Sequence, residues 1–184
     1  AERHLARLAE SAAFFGFTCD LQDVRNRLVR CATAHQEGTW RVRLELAANG
    51  SVAIECRPLE AAAGLERVVL ASRAVDSRDR YLCHKTTRRN IYEFHRAAHP
   101  DGFDVLLWNE RHELTEFTRG NLVVELDGSL WTPPRACGLL AGVFRADLLD
   151  AGTIHEQVVS VEDLPRCTRL WFINSLREWV PVHQ

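Results

Sequence analysis

From Phe103 to Ile173 the chain passes through short apolar segments of strand length, each ended by turn residues and interrupted by two helical stretches. This rhythm constrains the fold more than any other feature. Apolar and β-branched runs of about four to eight residues, bounded by Gly, Asn, Asp and Pro, make sheets rather than helix bundles. Phe103–Trp108, Asn121–Glu125, Ser129–Trp131, His155–Val159 and Arg169–Ile173 are expected strands, with turns at Asn109–His112 and Asp127-Gly128. Val143–Ala151 and the shorter Val161–Cys167 carry helical patterns, and Trp131-Thr-Pro-Pro134 is expected to be a rigid turn after an edge strand.

The first half is organised differently. Leu5, Leu8, Ala12 and Phe15 fall at helical spacing within Arg3–Phe15, and Gly16 ends that helix. Asp20 or Asp23 can start a second helix through Leu21, Val24, Leu28 and Cys31. Trp40–Leu46 alternates apolar and charged residues, Asn49-Gly50 is a hairpin turn, and Ser51–Cys56 is the returning strand. The alanine-rich stretch after Pro58 suggests a connector at 59–66 between a small lobe, 1–58, and a larger lobe, 67–184. Arg67–Val75 is then an expected strand, Asp76–Arg80 a polar loop, and Asn90–Ala98 a helix halted by His99-Pro100. The pattern as a whole predicts an α/β chain with mixed sheets.

Composition narrows the function classes. At 184 residues, 46% hydrophobic and 26% charged, the chain can bury a sizeable core. A net charge of −2 gives no electrostatic reason to bind nucleic acid or an acidic membrane. No apolar run reaches the roughly 18 residues of a membrane helix, and no signal-peptide pattern opens the chain. The six cysteines (Cys19, Cys31, Cys56, Cys83, Cys137 and Cys167) are widely and irregularly spaced, without a CxxC pair. They are taken as reduced thiols of a cytoplasmic protein, with no metal site expected. His95 and His99 have ligand spacing on a helix, but Arg96 stands where a zinc protease needs glutamate and no third ligand is evident.

One residue type is conspicuous for its rarity. Lys85 is the single lysine against 22 arginines. A guanidinium stays protonated, whereas an amine can act as a nucleophile, a proton shuttle or a Schiff-base partner. Three further segments offer compatible chemistry: Leu114–Asn121 with Glu116, the glycine-bearing Gly138–Arg145 loop entering a helix, and Arg169–Ser175 ending in Asn174 and Ser175. A helix N-terminus behind Gly142 can present the amides of Val143 and Phe144 to a phosphate. Taken singly, each signal is compatible with ordinary turn or surface chemistry. Cys83 beside His84 is set aside as a catalytic pair, because neighbours on a strand point to opposite faces.

In combination and in this order, the segments resemble the class IV pyridoxal-phosphate enzymes of fold type IV, the branched-chain and D-amino-acid aminotransferase-like group. The likeness runs from His4-Leu-Ala-Arg-Leu8 to Trp179-Val-Pro-Val182. His84-Lys-Thr-Thr-Arg-Arg89 followed by Tyr92 is most similar to the 4-amino-4-deoxychorismate lyase branch, in the form fused to aminodeoxychorismate synthase component I. The Gly-Gly-Asn-Tyr type run of branched-chain aminotransferases is absent. The resemblance implies pyridoxal 5'-phosphate as cofactor and Lys85 as its Schiff-base lysine and the catalytic base. It makes Glu116 the partner of the ring nitrogen, and places Arg7, Val143, Phe144 and Ser175 at the phosphate. Where aminotransferases have Thr, Phe144 leaves only its backbone contact. Tyr92, Asn121 and Asn174 are further cofactor candidates, and Arg89 a substrate candidate. The implied reaction yields 4-aminobenzoate and pyruvate for folate biosynthesis in a cytoplasmic homodimer. An aminotransferase of the same fold, or a non-catalytic module, are the alternatives. The small lobe is expected to lack its first strands, because Arg7 lies so near residue 1.

Overall fold

The computed structural model describes residues 1–59 and 64–184. They cluster into two compact units, Ala1–Ala61 and Ala62–Gln184. Of the expected connector at 59–66, residues 60–63 lie outside the described residues, and Glu66 already begins a strand.

The first unit contains helices α1 (Glu2–Phe15) and α2 (Leu21–Ala34) and the hairpin β1 (Trp40–Leu46) and β2 (Val52–Pro58). Gly16 takes a left-handed conformation (φ 69°), and the amides of Gly16 and Phe17 return to the Ala13 and Ala12 carbonyls, stopping α1 where the sequence predicts. Asp20 starts α2: its Oδ1 accepts from the amides of Gln22 (2.9 Å) and Asp23 (3.1 Å). Val24, Leu28 and Cys31 line one face of α2. The antiparallel register sets Val42 opposite Cys56 and Leu46 opposite Val52. One expectation is corrected here, because the sulfurs of Cys31 and Cys56 are bonded to each other. The sequence could not signal this pairing, since it arises from the packing of α2 on β2 across 25 residues of chain.

The second unit is built on β3 (Glu66–Leu70), β4 (Asp104–Trp108), β5 (Leu114–Phe117), β6 (Asn121–Leu126), β7 (Ser129–Thr132), β8 (His155–Glu156), β9 (Arg169–Asn174) and β10 (Glu178–His183). Six of these close into a ring in the order β5-β4-β3-β10-β9-β6, with β6 pairing back to β5, and β7 and β8 extend from β6. Most pairings are antiparallel, but β3 runs parallel to both β4 and β10, and β8 runs parallel to β7. Around the ring lie the short helix α3 (Arg80–Cys83), α4 (Asn90–Ala97) and α5 (Val143–Asp150), with 3-10 turns at Arg135–Cys137 and Val161–Arg166.

Phe117 and Phe172 fill the largest core cluster with Leu106, Leu114, Leu122, Val124 and Val180. The Phe172 ring stacks edge-on against Phe103 at 5.2 Å and tilted against Phe117 at 5.5 Å. Gly120 is required by this packing: a Cβ there would lie 2.6 Å from the Phe172 ring and 2.7 Å from the Ile173 carbonyl.

Several boundaries depart from the sequence reading. The strand expected over Arg67–Val75 ends at Leu70, and Val75 makes only an isolated bridge to Asn109. The strand expected over His155–Val159 is two residues long. Strands β5 and β10 and helix α3 were not anticipated. Cys83 and His84, expected on a strand, instead lie at the end of a helix: Cys83 ends α3 and His84 caps it. The strand before Trp131-Thr-Pro-Pro134 is not an edge, because β8 pairs beyond it.

Candidate active site

The polar groups singled out in the second unit gather at one end of the ring. β5 and β6 meet there through a single pairing, Glu116 with Asn121. Asn121 in turn lies opposite Ile173, next to the Asn174-Ser175 turn that leaves β9. The seam is fixed from below by Asp104, which is fully buried. Its Oδ1 accepts from the Thr118 amide at 3.0 Å and from the Thr118 hydroxyl, and its Oδ2 accepts from Arg119 Nε at 3.0 Å. A lone acid opening an apolar strand is the sequence signal of this anchor.

Glu116 is only 4% exposed. Its Oε1 accepts from the Tyr92 hydroxyl at 2.8 Å and from the Leu140 amide at 3.2 Å. Burial dominates and pushes the carboxyl up to about 8, while the bonds from Tyr92 and Leu140 and the charges of Lys85 and Arg89 pull the other way. The Tyr92 phenol is raised by burial and then by the Glu116 charge. Arg89 lies over the Tyr92 ring, 4.5 Å from its centroid, and donates to the Thr118 carbonyl. Arg89 thus braces Tyr92 and the β5–β6 turn together. The Leu140 amide is a participant that sequence reasoning missed, although the loop carrying it was recognised.

Lys85 sits exposed in the loop between α3 and α4, close enough for its charge to act on Glu116. The loop before it is pinned at several points. Ser77 donates its amide (2.8 Å) and hydroxyl (2.7 Å) to Glu110, and Arg111 donates to Ser77 Oγ at 2.7 Å. Asn109 Nδ2 reaches both Glu113 (2.7 Å) and the Cys137 carbonyl (2.9 Å). Arg111 holds the Glu113 carboxyl down to about 2. This network ties the approach to Lys85 to the Cys137–Gly138 entry of the glycine loop.

That loop ends in α5, whose N-terminus begins at Gly142 with no side-chain cap among the described residues. The first amides of a helix have no intrahelical acceptor, and the helix dipole is positive there. Asn121 Nδ2 donates to the Leu140 carbonyl at 2.7 Å and shapes the turn before the helix. A Cβ on residue 142 would stand 2.1 Å from Asn121 Oδ1, so only glycine lets the two approach. The Phe144 ring packs inward with Trp179 at 6.4 Å, which leaves its backbone for any ligand.

The predicted residues of the second unit thus divide. Lys85, Arg89, Tyr92 and Glu116 are linked by charge or contact, with Asn121 and the start of α5, Val143 and Phe144, joined to them through Leu140. Asn174 does different work: its Oδ1 accepts from the Leu176 (3.0 Å) and Arg177 (2.9 Å) amides, and its Nδ2 donates to the Arg119 carbonyl at 3.2 Å. Its side chain is a turn-former. Ser175 is exposed in the same turn. Arg7 lies half-buried on α1 of the first unit. His95, in the last turn of α4, is buried. No helix among the described residues is long and apolar enough to cross a membrane.

Residues 1–184 match the family model for amino-transferase class IV. The crystal structure of a Mesorhizobium loti protein, described as a "putative amino-acid aminotransferase", is similar with a TM-score of 0.90 and 40% identity over 99% of this chain and 90% of that one. The 4-amino-4-deoxychorismate lyase from Pseudomonas aeruginosa gives a TM-score of 0.81 at 23% identity, over 99% of this chain and 76% of that one. A Schizosaccharomyces pombe protein described as a "putative aminodeoxychorismate lyase" is 27% identical over 184 residues, 95% of this chain and 79% of its own length. With the family model spanning the whole chain and the ring carrying the fold of these relatives, the protein belongs to the class IV aminotransferase family, among the fold type IV pyridoxal-phosphate enzymes.

Proposed function

We propose that this chain is a pyridoxal 5'-phosphate-dependent lyase that converts 4-amino-4-deoxychorismate to 4-aminobenzoate and pyruvate. The observation that carries the reading is the Glu116 cluster, a buried carboxyl bonded by Tyr92 and the Leu140 amide and sensing the chain's single lysine. The donor set fits the cofactor. It offers an amine for the aldehyde, a buried acid for the ring nitrogen, and a helix N-terminus behind glycine for the phosphate. The lyase branch is favoured by the His84–Arg89 segment, where Arg89 braces Tyr92.

When bound, pyridoxal phosphate supplies an electron-poor ring that accepts the electron pair released at the substrate carbon. Lys85 Nζ would hold the aldehyde and, with substrate present, would be the base that takes the proton from the reacting carbon. Glu116 would pair with the ring nitrogen, and a cationic partner there would draw its carboxyl to the charged form that the Tyr92 and Leu140 donors already favour. The amides of Val143 and Phe144 and the Ser175 hydroxyl would hold the phosphate. Arg89 keeps Tyr92 in place and lies on the substrate side. Proton loss is followed by departure of enolpyruvate, which becomes pyruvate, and the six-membered ring becomes aromatic. The same proposal places the enzyme in folate biosynthesis in the cytoplasm, as a homodimer, joined to or working with an aminodeoxychorismate synthase.

A second reading, an aminotransferase, is favoured by the 40% identity to the Mesorhizobium loti protein. One sequence of measurements separates the two. Pyridoxal phosphate added to wild type is expected to give a visible absorbance band and a borohydride-stable adduct on Lys85, both absent in Lys85→Ala. Identical behaviour of the two proteins defeats the cofactor assignment. The loaded enzyme should then release pyruvate from aminodeoxychorismate without any added keto acid. Turnover that requires a keto acid, and yields no pyruvate from aminodeoxychorismate, assigns the aminotransferase instead.

A further inference from the structure

The first unit holds a cluster that the chemistry above does not use. Cys31 lies in the last turn of α2, His35 caps that helix, and Cys56 faces them from β2. One ligand atom from each residue lies within 4.8 Å of the others, and all three residues are half-buried. His35 Nδ1 is 3.9 Å from Cys31 Sγ. The imidazole is held against the Trp40 ring at 4.3 Å, and Trp40 is itself fixed by a 2.7 Å bond from Nε1 to the Glu37 carbonyl.

Two features suit these sulfurs, once reduced, to an ion as their shared partner. The Cα atoms of Cys31 and Cys56 are 7.7 Å apart. Disulfides usually span about 4.4–6.8 Å between Cα atoms. An interposed ion lengthens the link: with zinc–sulfur bonds of about 2.3 Å, tetrahedral geometry sets the two sulfurs roughly 3.8 Å apart. The second feature is the imidazole. A disulfide has no need of a histidine, whereas a tetrahedral centre takes a nitrogen at a similar spacing from each sulfur, close to the Cys31–His35 separation already present.

We propose that the reduced form of this cluster is a zinc site, with Cys31 Sγ, Cys56 Sγ and His35 Nδ1 as ligands and water in the fourth position. Reduction of the Cys31–Cys56 bond by a phosphine or a small thiol adds two electrons and two protons. Zinc binding then releases both thiol protons and yields two thiolate ligands. His35 Nδ1 also lies 2.9 Å from the Cys31 carbonyl. Metal binding turns its lone pair to the ion and moves the ring proton to Nε2. The ion ties the end of α2 to β2, and half-burial leaves it a path of entry.

The test uses the full chain, reduced with a phosphine and stripped of metal, then titrated with zinc against a chromophoric chelator. One zinc per chain is expected, with affinity lowered about 100-fold in Cys31→Ser and in Cys56→Ser, and clearly weakened in His35→Ala. Cys19→Ser, in the same unit, should bind as wild type does. Cobalt(II) in the wild-type protein should give thiolate charge-transfer bands and the intense visible absorption of a tetrahedral ion, a readout that depends on no variant. The proposal is overturned if the reduced wild type binds no zinc, if Cys31→Ser binds as tightly as wild type, or if Cys19→Ser loses as much. Mass mapping that finds Cys31 still joined to Cys56 after reduction overturns it as well.

Discussion

The two compact units stabilise themselves in different ways. In the second, the ring surrounds a dense apolar interior that includes Phe117, Phe172, Leu106, Leu114 and Leu122, all at or near zero exposure. In the first, the buried hydrophobics among the described residues are Leu5, Ala12 and Val24. Its elements are instead defined by local devices: a glycine stop on α1, an aspartate cap on α2, an Asn49-Gly50 hairpin, and the link from α2 to β2. The contrast teaches that one family fold can combine a core-driven body with a smaller one specified mainly by its turns, caps and a cross-link. The polar site can sit at the ring's end because the core beneath it supplies the stability.

The comparison breaks first at Phe172. Phe172→Ala removes a ring that touches both Phe103 and Phe117, and should cost about 3–5 kcal/mol. Urea unfolding followed by tryptophan fluorescence in a Trp40→Phe background reports the second unit, which contains the other four tryptophans, Trp108, Trp131, Trp171 and Trp179. A loss below about 1 kcal/mol would show that the ring interior does not dominate.

The next largest effect is electrostatic. The Glu116 carboxyl, ordinarily near 4.5, is pushed up to about 8 in the folded chain. Between those values the folded state keeps a proton that the unfolded state has lost. Stability of the cofactor-free chain therefore falls as pH rises through this window, on the order of a few kcal/mol, and levels off above it. Glu116→Gln should flatten that slope in denaturation curves measured from pH 5 to 8.5. Equal slopes in the two proteins would mean that the carboxyl titrates normally.

The smallest effect belongs to the first unit. Asp20→Ala deletes the acceptor of two amides and should cost about 1 kcal/mol. Hydrogen exchange should quicken in α2 and leave β4 and β9 unchanged. Equal loosening of both units would show that they do not differ as described.

How much of this was legible in the sequence follows from how local each signal is. The ends of α1 and α2 and the β1–β2 hairpin were readable because Gly16, Asp20 and Asn49-Gly50 act on their immediate neighbours. β5 was not, because Leu114-Thr-Glu-Phe117 is four residues long and buried throughout, with no alternation to reveal a strand. β10 contains Pro181, which argues against a strand until the ladder places it beside Trp171. Lys85 stood out by its rarity and Glu116 through a family pattern, whereas the Leu140 amide and the Tyr92–Glu116 bond exist only after folding. The turn bonds of the Asn174 side chain likewise appear only in the folded chain. The Cys31–His35–Cys56 cluster was invisible because helix and strand bring it together from distant positions.

One consequence follows from the ring's closing on itself at the Glu116–Asn121 pair. A circular sheet distributes load over many hydrogen bonds, but this joint has the least redundancy, and it is made of two polar residues of the candidate pocket. Any small molecule seated there would act as a rivet across the joint. Its dissociation would be felt as a loosening of the whole cylinder at its weakest point, so occupancy and mechanical integrity become one property.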